Sequence, residues 1–154
     1  MTTLSIEAFK PARVPVGYAF RRRVQGSASP GFTGPAGEEL PDQVTLIHTS
    51  ANTYVAWRTP MTVHVVARPD ARLFAAETHK GVALDLGLAG VKSAVYHDGW
   101  WGPNPDGSGG KVWDTGTMHS LTLRTATHTV AVRAAKSVPL DELAAVAKSI
   151  PLGS

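Results

Sequence analysis

A chain of 154 residues fits one domain and is long enough to bury a core without staples. With 43% apolar and 18% charged residues it is not an intrinsically disordered sequence. The net charge of +3 is small, and the only basic run is Arg21–Arg22–Arg23. Strand alternation would split that run between two faces, so no nucleic-acid groove is expected, because such grooves need many converging cations.

Cysteine is absent, which excludes disulfides, thiolate chemistry and Cys-ligated zinc. No apolar run reaches the 18–20 residues or so of a membrane span. The opening MTTLSIEAFKPARVP lacks the basic and apolar regions of a signal peptide. A complete chain would then be cytoplasmic, whereas an excised domain could be extracytoplasmic.

Sixteen Val and fifteen Thr favour pleated surfaces. Leu4, Ile6 and Ala8 alternate at the start. The segment 26–41, GSASPGFTGPAGEELP, holds seven of the chain's 26 Gly and Pro residues and is expected to be a mobile connection. Residues 43–57 fit a weak helical stripe through Val44, Ile47, Ala51 and Val55, but their Thr content favours strand. Met61, Val63 and Val65 alternate, as do Val82, Leu84, Leu86 and Leu88. A strand is expected to end near Tyr96. A second breaker cluster, 99–110 (GWWGPNPDGSGG), is expected to be a loop leading to a strand near Lys111–Trp113. Leu121 and Leu123 would pair with Val130 and Val132 as a hairpin across Thr125–His128.

One helix is expected over 139–150, with Leu140, Leu143, Ala147 and Ile150 on one face. Pro139 suits the first turn, Ser137 is a candidate N-cap, and Pro151 stops the helix. Asp141 and Glu142 meet the positive end of the helix dipole, and Lys148 lies near the negative end. The fold class expected is α+β: one domain over 1–154, built on a curved, mainly antiparallel sheet with the C-terminal helix packed on one face.

The six histidines, His48, His64, His79, His97, His119 and His128, form no HxH, HxxxH or HExxH pair, so no metal site is expected. His119 and His128 share parity with the hairpin's apolar residues and could face each other across it. They are the weak catalytic candidates. His97–Asp98 is a poor dyad, since adjacent strand residues point to opposite faces. Asn104, Asp106 and Ser108 space their oxygens as in a fragment of a calcium loop, but no carboxylate follows at the bidentate position, and a turn is the simpler assignment.

Phosphate-loop, dinucleotide and Ser-hydrolase motifs are absent, and no cofactor is expected. Trp100 and Trp101 are the leading candidates for ligand or partner contact, with His97 at the mouth of their loop. Trp57 and Trp113 are expected in the core or at its rim.

Three segments carry a family resemblance: KPARVPVGY at Lys10–Tyr18, the Tyr-bearing strand and turn of Val91–Trp101, and the hairpin and LDELAAVAKSI helix of Leu121–Ile150. Together they resemble a bacterial family of extracytoplasmic domains of uncharacterised function, found in membrane-anchored anti-sigma-like proteins and lipoproteins. That family's layout is similar to the lipoprotein-carrier (LolA/RseB-like) half-barrel. LTLRT and HTVAV stand where the family carries a Trp and a Gly-x-x-Tyr. The resemblance implies a non-catalytic module that binds a protein partner or an apolar small ligand, and it brings no catalytic residues. The alternative is a small cofactor-independent hydrolase or isomerase using His119 or His128.

Overall fold

The computed structural model describes residues 9–15, 17–25, 32–34, 36, 38–40, 42–50, 60–73 and 81–152. The alternation at Leu4–Ala8, Trp57 and His79 lie outside them. The strands are β1 (Tyr18–Gln25), β2 (Phe32–Thr33), β3 (Val44–Ser50), β4 (Met61–Val66), β5 (Arg72–Leu73), β6 (Val82–Ala83), β7 (Val91–His97), β8 (Trp100–Pro103), β9 (Lys111–Asp114), β10 (Met118–Thr125) and β11 (Thr129–Ala135). A C-terminal helix follows at Leu140–Lys148.

Seven strands form one open antiparallel sheet in the order β1-β3-β4-β11-β10-β7-β6. Among the described residues the protein is therefore mostly sheet with the C-terminal helix upon it, richer in strand than a balanced α+β mix. The edges are blunted in two ways. β1 is bulged between Phe20 and Arg22 and exposes Arg21, Arg22 and Arg23. β6 is only two residues long. Both devices discourage edge-to-edge pairing.

Strand alternation divides the sheet into two faces. The first carries Leu46, Met61, Val63, Val65, Leu121, Leu123, Val130 and Val132, all buried. The helix covers this face with Leu143, Val146, Ala147 and Ile150, which share one stripe at i, i+3, i+4 and i+7. Pro139 sits at the N-cap with ψ 163°, and no side chain caps the helix, so Ser137 does not serve as the expected cap. Three contacts fix the docking. The Ala12 N–H donates to the Ser149 carbonyl at 3.1 Å. Arg13 pairs with Glu142 at 3.0 Å. His119 Nε2–H donates to the Val138 carbonyl at 2.6 Å, just before the helix begins.

The second face is more polar. It presents Thr45, Thr62, His64, Ser120, Thr122, Arg124, Thr129 and Arg133. One end is closed by Phe32 and Leu40, which bury against Val66, Ala71 and Ala131. Gln43 ties this flap down: its Oε1 accepts from the Phe32 N–H at 2.8 Å, and its Nε2 donates to the Phe32 and Leu40 carbonyls. The described part of 26–41 is thus a packed cover rather than a mobile spacer. A sequence scan weighs its Gly and Pro, but Phe32 and Leu40 decide its position.

Two further expectations change. The 99–110 segment is not simply a loop, because Trp100–Pro103 pairs with Lys111–Asp114 as a hairpin. Of the alternating stretch 82–88, only Val82 and Ala83 join the ladder. Leu84 and Leu86 still pack on the core without strand geometry.

Candidate functional site

The β10–β11 hairpin closes where the sequence suggests, with Thr125 N–H donating to the His128 carbonyl at 2.9 Å. Its register opposes Leu121 to Val132 and Leu123 to Val130. The same register places His119 opposite Ala134 and leaves His128 in the turn. The two histidines therefore do not face each other. Since Nε2–H of His119 is given to Val138, Nδ1 accepts from the Tyr96 hydroxyl at 2.9 Å. Both ring nitrogens are engaged, and burial lowers the pKa of the ring. His128 Nδ1 shares a hydrogen bond with the Thr127 hydroxyl at 2.8 Å, and the ring packs on Phe9.

The polar face is organised by register. Thr62 pairs with Arg133, Arg133 with Ser120, and Ser120 with His97, giving one row across β4, β11, β10 and β7. The next row runs Thr45, His64, Ala131, Thr122, Val95. The β8–β9 hairpin contacts the first row at two members, Arg133 and His97. The Trp100 ring lies over the Arg133 guanidinium, 5.3 Å from its centroid. Trp113 stands edge-on to His97 at 6.2 Å and to Trp101 at 5.4 Å. Trp100, Trp101 and Trp113 are only partly buried.

The hairpin's own polar groups hold its shape. Asp98 accepts from the Trp113 indole N–H at 2.9 Å. Asp114 accepts from the Thr117 hydroxyl at 2.6 Å and the Gly116 N–H at 2.8 Å. The bond from Thr117, then that from Gly116, hold the Asp114 carboxyl below its usual range. At the tip, Asn104 Oδ1 and Asp106 Oδ1 accept from the Asp106 and Ser108 N–H groups, and Gly107 and Gly109 adopt φ of 76° and 80°. These are turn contacts, which use the oxygens that sequence spacing aligned with a calcium loop.

The hairpin root depends on a close approach. A Cβ on Gly99 would lie 2.3 Å from the Asp114 carbonyl oxygen. Backbone cannot yield as a flexible side chain can, so Gly99→Ala is expected to cost about 1–3 kcal/mol and to shift the tryptophan fluorescence. Unchanged stability and emission would contradict this account of the root.

A buried group, His64, and a partly buried one, Arg133, dominate the electrostatics. His64 is hydrogen-bonded by Thr45 at Nδ1, 3.1 Å, and by Thr62 at Nε2, 2.9 Å. Burial first, and the charge of Arg133 second, push its pKa down to about 3. The ring is therefore neutral at pH 7. Burial alone pushes Arg133 down to about 10, so it remains a cation. A drop of that size corresponds to about 3 kcal/mol of unfavourable desolvation.

Arg124, on the same face, donates to the Pro69 and Ala71 carbonyls and to the Thr129 hydroxyl. Arg133 has no such acceptor among the described residues, and no carboxylate there pairs with it. The Thr122 hydroxyl is likewise buried without a partner. Sequence reading selected Trp100, Trp101 and His97, and the structure gathers all three at one end of this face. It missed Arg133, Thr122 and His64. A lone arginine among apolar residues in RAA-type strand sequence was the available signal for Arg133. Among the described residues no group of three or more His, Asp or Glu could hold a metal ion, and no helix is long and apolar enough to cross a membrane. Comparison of the chain with protein-family models, curated proteins and solved structures gave no match.

Proposed function

We propose that the protein is a non-catalytic binding module whose tryptophan hairpin and the polar sheet face beneath it take a small ligand with a flat apolar part. The observation that carries this reading is the grouping of three partly exposed indoles on one hairpin laid across a row of polar side chains. Binding sites combine aromatic walls with a few oriented polar groups, and this arrangement has both. The family resemblance to lipoprotein-carrier-like domains supports the same reading, as does an open antiparallel sheet backed by one helix. A small ligand is favoured over a protein partner because Trp100 lies over Arg133 and Trp113 against His97, which sets aromatic rings beside polar side chains.

The test uses benzamide, a neutral flat probe, followed through the tryptophan indole N–H resonances. Benzamide should perturb the resonances of the hairpin. Trp101→Ala should weaken the interaction at least fivefold, while Trp101→Phe, which keeps an aromatic wall, retains most of it. Wild-type affinity in the Ala variant, or no perturbation of the native protein, would overturn the reading.

A further inference from the structure

We propose that Arg133 is the anion-recognising residue of this site, taking an oxyanion of the ligand together with the Thr122 hydroxyl. This inference rests on the binding reading above and adds a chemical class to it: a flat ligand bearing a carboxylate or a phosphate.

Four observations converge. First, Arg133 is a partly buried cation with no counter-charge among the described residues. Such a charge is costly to bury, and a fold ordinarily pairs it. The nearby carboxylates are otherwise engaged, Asp98 with Trp113 and Asp114 with Thr117 and Gly116. Second, among the described residues Arg133 has the Trp100 ring as its partner. That contact supplies no oxygen acceptor to the guanidinium N–H donors. Those donors form the planar fork that fits a carboxylate or phosphate.

Third, Thr122 Oγ1 is buried and unpartnered on the same sheet face. Register sets Thr122 diagonally across from Arg133, since Arg133 opposes Ser120 and Thr122 opposes Ala131. Diagonal neighbours lie about 7–8 Å apart, so one oxyanion can bridge both side chains. Fourth, His64 in the neighbouring row is neutral at pH 7 and held between the Thr45 and Thr62 hydroxyls, so the charge beside the Trp100 ring is that of Arg133. Arg124 shows the contrast, because the same residue type on the same face spends its donors on carbonyls of the 69–71 corner.

The experiment compares benzoate with benzamide, which share a ring and differ in charge, and adds inorganic phosphate as a separate arm. Each is titrated at low salt into the native protein, Arg133→Gln and Arg133→Lys, with circular dichroism checking that each variant is folded. Benzoate should bind the native protein at least tenfold more tightly than benzamide. Arg133→Gln should bring the benzoate-to-benzamide affinity ratio down to about one, whereas Arg133→Lys should keep part of the benzoate preference. Competition of benzoate by millimolar phosphate assigns the site to phosphate as well. Its absence restricts the site to carboxylates.

Benzamide and benzoate binding equally at the hairpin would overturn the anion site while leaving the binding module standing. A gain that survives in Arg133→Gln would also overturn it. Failure of both probes to bind would count against the module itself.

Discussion

Leu143→Ala is expected to destabilise the protein by about 2–5 kcal/mol, the range for emptying a buried leucine site. Leu143 is fully buried at the centre of the helix stripe, facing the sheet across from Leu121, Leu123, Val130 and Val132. Burying such a side chain contributes about 1.5–3 kcal/mol by transfer alone. The added loss comes from a cavity that the sheet and a nine-residue helix cannot close by small shifts. The helix has no side-chain cap, so its stability depends on this face more than on its own termini. Urea denaturation should show a lower midpoint with an unchanged slope. A loss below about 1 kcal/mol would mean that the helix is not held by this stripe.

The second large effect is acid sensitivity centred on His64. Its folded pKa is about 3, against about 6.5 in an unfolded chain. Above pH 6.5 the ring is neutral in both states, and its contribution to stability is complete. As the pH falls below 6.5, the unfolded chain takes up a proton that the fold refuses. Stability then declines towards pH 3 by about 1.4 kcal/mol per pH unit. Between pH 7 and pH 4.5 the loss assigned to His64 is therefore about 2–3 kcal/mol.

His48, His119 and His128 are lowered in the same direction by burial and steepen the same window. The lowered carboxyls of Asp70, Asp106 and Asp114 act only below the usual carboxylate range. The charge facing His64 is that of Arg133, which reinforces burial. His64→Gln keeps hydrogen-bonding capacity towards Thr45 and Thr62 and has no titration. Its stability should fall with pH by about 2 kcal/mol less than that of the native protein over this interval. Equal slopes for the two proteins would refute the assignment.

Alternation identified β4, β10 and β11, because each strand has at least one continuous buried face. The helix was legible for a similar reason: acidic residues, an apolar stripe and a flanking proline all agree. Alternation failed over 82–88. It reports which side of the chain is buried, not whether the backbone pairs. There Gly87 and Gly90, at φ of 65° and 82°, turn the chain away after two paired residues. Breaker counting failed in the opposite sense at Trp100–Pro103 and Phe32–Thr33. Glycine and proline permit turns without forbidding short strands, and one well-placed aromatic outweighs several of them.

The candidate site divides along the same line. Trp100, Trp101 and His97 stand out by residue type, and the sequence alone sufficed to select them. Arg133, Thr122 and His64 look like ordinary strand residues until the sheet is assembled. Their meaning comes from cross-strand register and from a hairpin that folds over Arg133 from more than twenty residues earlier in the chain.

Length, composition and the absence of cysteine exclude an intrinsically disordered sequence, disulfides and thiol chemistry, and periodicity delivers an antiparallel sheet with a C-terminal helix. These are local or additive properties, so sequence determines them directly. Which face is buried against the helix, which is roofed by indoles, and which arginine is left without a counter-charge were decided only by tertiary structure. Desolvation depends on what packs above a side chain, and that neighbour is set by long-range register rather than by adjacent residues.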